Sequence, residues 1–251
     1  MLARPTWCLV QNKLLVYAGN YTAYRGHYAI LDPDRYYIKL DDDIMYIGQH
    51  AFEAMLYEKL QGRFMFVSAN VVNHGVLTWV HAGMDAMHTS AAQLDRLGDS
   101  PYRRRIADAT KTNPMTGCTY GYSTYCSVDS ASVAAACHYS FLHNVRKQQL
   151  HKYNFHIWDF HAFGYQAWSI NTFIFKGSEL HTVKFDEDVN DEWFISQRLA
   201  ERLDSHSGAV GSALVVHMSY HTQRESGFDE SDVLHQYEQL AESLTGVLLP
   251  R

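Results

Sequence analysis

Three consecutive carboxylates, Asp41, Asp42 and Asp43, follow the run Tyr36-Tyr37-Ile38-Lys39-Leu40 and precede a second apolar stretch, Ile44-Met45-Tyr46-Ile47. Aromatic and β-branched residues favour strands, so the first run reads as a strand with acids at its carboxyl end. Open α/β sheets bind their ligands at such ends. Adjacent like charges repel, and a folded chain holds three of them most easily beside a cation. A divalent metal carrying a diphosphate suits that requirement. Alternate residues of an extended chain share a side, so Asp41 and Asp43 can address one ligand while Asp42 points elsewhere.

Further groups stand later in the chain. In Asp186-Glu187-Asp188-Val189-Asn190-Asp191-Glu192-Trp193 the acids can stabilise a helix start through its dipole, with Asn190 or Asp191 as N-cap. His217-Met218-Ser219-Tyr220-His221 closes the apolar run Leu214-Val215-Val216, and a neutral imidazole there is a competent metal ligand. His217 is the first choice and His221 the second. Arg224, three residues on, is suited to a phosphate. Trp158-Asp159 and Trp168 read as a sugar-binding wall: an indole stacks on a pyranose face and a carboxylate accepts from hydroxyls. Core packing competes for Trp168.

Composition sets limits. The chain has 251 residues, 47% of them hydrophobic, enough for one good-sized domain. Net charge is −6, and no basic stripe stands out beyond Arg103-Arg104-Arg105, which argues against a nucleic-acid partner. Cys8, Cys118, Cys126 and Cys137 show no Cys-x-x-Cys spacing; a Cys118–Cys126 bridge is the one pairing the spacing invites. Residues 1–15, interrupted by Arg4, Pro5, Gln11, Asn12 and Lys13, do not form a signal peptide, and no apolar run is long enough to span a bilayer. The default location is cytoplasmic, or the Golgi lumen if an anchor lies upstream. Asn20-Tyr21-Thr22 is a formal glycosylation acceptor.

Periodicity predicts an α/β domain with a mixed, mostly parallel sheet flanked by helices. Strands are expected over 7–16, 36–40, 63–72, 169–175 and 209–218. The run over 63–72 is continuously apolar and therefore buried on both faces. Helices are expected over 49–60 (Phe52, Met55, Leu56 and Leu60 inward), within 73–87, over 130–150, over 190–203 (Trp193, Phe194, Leu199 and Leu203 inward) and over 231–244. Residues 89–125 read as a polar excursion, a lid or acceptor-side loop, and 156–163 as irregular.

The acidic run resembles the Asp-x-Asp motif of metal-dependent, nucleotide-sugar glycosyltransferases of the GT-A fold. Five stretches together resemble a group of fungal glycosyltransferase-like proteins: 36–44, 68–73, 157–159 with 167–170, 191–193 and 217–220. The resemblance runs from about Tyr36 to the carboxyl end. It implies a metal-dependent transfer of sugar from a nucleoside-diphosphate donor to a carbohydrate or protein acceptor, with Mn²⁺ or Mg²⁺ as cofactor. Asp43 and His217 would hold the metal, with Asp41 assisting through water or holding the donor ribose. Asp42 and Arg224 would meet the nucleotide-sugar, and Glu192 or Asp191 would be the base of an inverting enzyme.

A GT-A domain places ~100 residues of βαβαβ structure before its Asp-x-Asp. Only forty residues precede Asp41 here. The expectation is one domain, 1–251, whose first 35 residues are a shortened segment, with impaired donor affinity. An exposed sheet edge would follow, and with it homodimerisation. Two other readings stand beside this one. One is a non-catalytic remnant that binds carbohydrate or protein. The other is a phosphohydrolase with Asp41 as nucleophile and Asp43 as acid/base, which Met45 fits poorly.

Overall fold

The computed structural model describes residues 28, 29, 31–87 and 128–245. The strand expected over 7–16, the excursion over 89–125, Asn20, Arg103-Arg104-Arg105 and the cysteines Cys8, Cys118 and Cys126 lie outside the described residues. In chain order the main elements are β1 (Tyr36–Leu40), β2 (Ile44–Ile47), α1 (Ala51–Leu60), β3 (Phe66–Val72), α2 (Leu77–Gly83) and α3 (Ala131–Arg146). They continue with β4 (Ile157–Asp159), β5 (Thr172–Lys176), α4, β6 (Ser207–His217), α5 (His221–Glu225) and α6 (Val233–Thr245). Helix α4 is composite: Asp191–Trp193 is α, Phe194–Arg198 is a π turn and Leu199–Arg202 is α again.

The strands form one mixed sheet in the order β1-β5-β3-β6-β2, with β4 also paired to β6. Only β3–β6 is parallel; β1–β5, β3–β5, β2–β6 and β4–β6 are antiparallel. The expectation of a mostly parallel sheet is therefore corrected. Apolar content marks burial on two faces and is silent on strand direction. The chain reverses through the tight acidic turn and through β4, which is too short for a pattern to register.

Strand β3 is buried along its whole length, as its continuous apolar run requires. Its alternate residues serve different layers. Val67, Ala69 and Val71 pack with Ala51 and Met55 of α1, Ile174 and Val215. Phe66 faces the other way, into a cluster with Trp168, Phe173, Phe175 and the α4 residues Phe194, Ile195 and Leu199. Val72 joins α3 and α6 through Phe141, Leu142 and Tyr237. Phe66, Phe173 and Phe194 are fully buried, each worth on the order of 2 kcal/mol in transfer from water.

Of the residues expected inward on α4, Phe194 and Leu199 are buried. Trp193 and Leu203, expected inward, are 40% and 55% exposed, and the inward residues are Phe194, Ile195 and Leu199. One residue added per turn rotates the stripe away from simple 3.6 spacing. In α1, Met55 is buried, whereas Leu60, also expected inward, is 58% exposed.

Two irregularities set the long strand β6. Its pairing with β3 jumps from Ala69↔Val210 to Asn70↔Leu214, leaving a bulge at 211–213. The Asn70 amide fills it, donating to the Gly211 carbonyl at 2.9 Å and to the Tyr153 carbonyl at 2.7 Å. A Cβ on Gly211 would lie 2.5 Å from the Phe155 nitrogen, so only glycine fits there. On the other edge, Ile44 pairs with His217 and Tyr46 with Val216, so Met45 is an extra residue on β2.

No helix among the described residues is long and apolar enough to cross a membrane.

Candidate metal centre

Strands β1 and β2 are joined by the acidic turn, and β6 ends beside it. Asp41 continues the β1–β5 ladder, its amide donating to the Asn171 carbonyl at 3.0 Å. On the other side, the Met218 amide donates to the Asp43 carbonyl at 3.0 Å. These two backbone bonds hold the turn open between β5 and β6. One ligand atom from each of Asp41, Asp43 and His217 lies within 4.8 Å of the others, the spacing of a metal-holding group. His217 Nε2 stands 3.3 Å from Asp43 Oδ1. Asp42 is exposed within the turn and is not among the three grouped ligand atoms. His221 is also exposed and pairs with Glu225 at 3.1 Å, so His217 is the histidine of the site.

The charges around the turn are graded. Burial raises the Asp43 carboxyl, but the His217 imidazole, the Ser219 amide and exposed Arg224 outweigh it and hold it below the usual carboxylate range. Asp41 is gripped from two sides. Lys39 donates to Oδ1 and also to the Ile170 carbonyl at 2.8 Å, while Asn171 Nδ2 donates to Oδ2 at 3.1 Å.

The first turn of α4 faces the same place. Burial, with Asp191 and Asp41 nearby, pushes the Glu192 carboxyl up to about 7, against the Ile170 amide and Lys39. Asp191 is raised by burial as well, with Lys39 opposing and Asp41 adding. Asn190 is the N-cap, accepting from the Trp193 amide at 2.8 Å. Tyr220 closes the floor, donating to Asn171 Oδ1 at 3.2 Å and accepting from the Gly75 amide at 3.3 Å. Burial, Glu192 and Asp41 all raise its hydroxyl. Such a set of oxygen donors and one imidazole is the chemistry that Mn²⁺ or Mg²⁺ accepts, with carboxylates dominant.

The expected acceptor wall has a different character. Trp158, Asp159 and Trp168 do line one pocket, with Val76, Phe160 and Phe163, but its volume is about 50 Å³. Ligand pockets are typically ~300–1,000 Å³. Trp168 is 1% exposed; one ring face lies on Phe160 at 4.8 Å and Phe173 meets it edge-on at 5.9 Å. An indole covered in this way packs the core and offers no face to a sugar. Asp159 accepts from His206 Nδ1 at 2.7 Å and from the His161 amide at 2.8 Å.

A cavity of about 760 Å³ lies at the other end of the sheet, among Tyr36, Lys59, Arg63, Lys176, Asp159 and His206. Asp159 is in register with Gly208, nine residues before His217 on β6, so ~30 Å of strand separates the two places. Volume alone would favour that cavity. Its main charges are already matched, Lys59 with Glu179 at 2.5 Å, Arg63 with Glu58 at 2.6 Å and His206 with Asp159. The convergence of acids at the β1–β2 turn is the stronger sign of chemistry.

Sequence reasoning missed Lys39, Asn171 and Tyr220 as members of the site. Lys39 was within reach: two residues before Asp41 on an extended strand, it shares its side.

Compared with models of known protein families, with curated proteins and with solved structures, the chain matches none.

Proposed function

We propose that this chain is a metal-dependent glycosyltransferase of the GT-A type, moving a sugar from a nucleoside-diphosphate donor to an acceptor hydroxyl. The observation that carries the reading is the meeting of Asp41, Asp43 and His217 from separate strand ends, with Glu192 beside them. The mixed sheet flanked by helices is compatible with it. When bound, Mn²⁺ or Mg²⁺ would neutralise charge on the departing nucleoside diphosphate. Asp43 and His217 would hold it, with Asp41, already oriented by Lys39 and Asn171, beside them. Arg224 and Asp42 stand on the exposed rim, where the nucleotide enters. Glu192 is the base of an inverting reaction, with Asp191 next in line. A carboxyl that titrates near neutrality takes a proton from an acceptor hydroxyl more effectively than an ordinary one.

The test is release of nucleoside diphosphate from a panel of nucleoside-diphosphate sugars across a Mn²⁺ series. Metal-dependent release is expected, lost in Asp43→Asn while circular dichroism stays native. No binding and no hydrolysis of any donor at millimolar Mn²⁺ would refute the reading. Hydrolysis of p-nitrophenyl phosphate that disappears in Asp41→Asn would replace it with a phosphohydrolase.

A further inference from the structure

His217 reaches the acids only because its ring is held from behind. Its Nδ1 lies 3.4 Å from the carbonyl oxygen of Asn73. A carbonyl only accepts, so this contact puts the proton on Nδ1 and turns Nε2 toward Asp43. Asn73 follows β3 in a left-handed conformation, φ 60°, which asparagine tolerates better than most residues. It is 1% exposed, and both polar atoms of its side chain are engaged. Its Nδ2 donates to the Met218 carbonyl at 3.0 Å and to Gln223 Oε1 at 2.9 Å, and Gln223 Nε2 returns a bond to Asn73 Oδ1 at 2.9 Å. Gln223 Oε1 also accepts from the Tyr220 amide at 3.0 Å. His138 Nε2 adds a second bond to the Met218 carbonyl, 2.7 Å long.

The reciprocal amide pair thus fastens the turn after β3 to the segment that follows His217. Neither side chain reaches the acids, and both are buried where an unpaired amide is costly. From this geometry we infer that Asn73, locked to Gln223, is a positioning residue that aims the His217 imidazole at the metal. The inference rests on the metal reading of the site. A ligating histidine commonly needs such a partner on its other nitrogen, and removing the partner typically weakens metal binding ~10–100-fold.

The probe is Co²⁺, whose visible absorption reports the ligand set, with Mg²⁺ alongside. Imidazole favours Co²⁺ far more than Mg²⁺. Asn73→Gly keeps the left-handed backbone at little cost and deletes the amide pair. It should weaken Co²⁺ binding ~10–100-fold and Mg²⁺ binding less than about threefold. In a His217→Gln background the same change should cost nothing more. Gln223→Met opens the pair from the other side and should reproduce the pattern, which keeps the test decisive if Asn73→Gly does not fold. Wild-type Co²⁺ affinity in either folded variant overturns the inference. So does an equal loss of Co²⁺ and Mg²⁺ binding, or a loss that persists without His217. Failure of the unaltered protein to take up either ion overturns the metal reading itself.

Discussion

The two ends of the sheet carry similar side chains in opposite electrostatic states. Where β1 and β6 finish, Asp41, Asp43, Asp191 and Glu192 crowd together; Lys39 is already bonded to Asp41, and exposed Arg224 acts on Asp43. Where β6 begins, three acids have a base each: Glu179 with Lys59, Glu58 with Arg63, Asp159 with His206. A cavity of about 760 Å³ opens there. Crowded acids persist in a folded chain when something outside it balances them, whereas matched pairs serve the fold itself.

That contrast can be broken by exchanging single groups. The largest effect is expected at the crowded end. Glu192→Gln should lower turnover ~10²–10⁴-fold, the usual contribution of a general base, while leaving Mn²⁺ affinity close to normal. The unaltered protein should gain activity as pH rises through about 7, where Glu192 loses its proton, and that limb should vanish in Glu192→Gln. A pH–rate profile of kcat/KM checks both. If the limb survives the substitution, the rise belongs to another group.

The matched end should answer in stability and not in chemistry. Lys59 is almost wholly buried and also donates to the carbonyls of Phe64 and Met65. Burial lowers its pKa and Glu179 partly restores it. Lys59→Met leaves Glu179 without its cation, and urea unfolding should show a loss of about 3 kcal/mol with Mn²⁺ binding intact. Asp159→Asn should do least. The His206–Asp159 pair is partly solvated, so less than about 1 kcal/mol is expected in the same titration. A large loss of donor turnover in either variant would erase the distinction between the ends.

What could be read from the sequence follows the range of the interactions involved. Asp41, Asp43 and His217 were visible because strand ends are local features, and period-two alternation separated Asp42 from its neighbours. The helix over 130–150 was visible because sixteen residues, Ala131–Arg146, repeat an apolar face. Strands β2 and β4, four and three residues long, are too short for any period to emerge. Asn73 and Gln223 lie 150 positions apart, and nothing local marks either as a partner. Trp168 packs the core, the alternative that the sequence left open, because a tryptophan that packs and one that binds look alike until burial is known. The π turn in α4 left no compositional trace.

The extra residue Met45 on β2 works like a vernier. It lets Ile44 sit opposite His217 while Tyr46 already faces Val216. Deleting it would let those two pairs follow one another as in a regular ladder, so the aspartates would keep their register beside the imidazole, while the bend and extra twist that the bulge gives β2 next to the acidic turn would be lost. A change outside the ligand set, neutral in charge, would then alter how the turn is aimed without altering which residues pair.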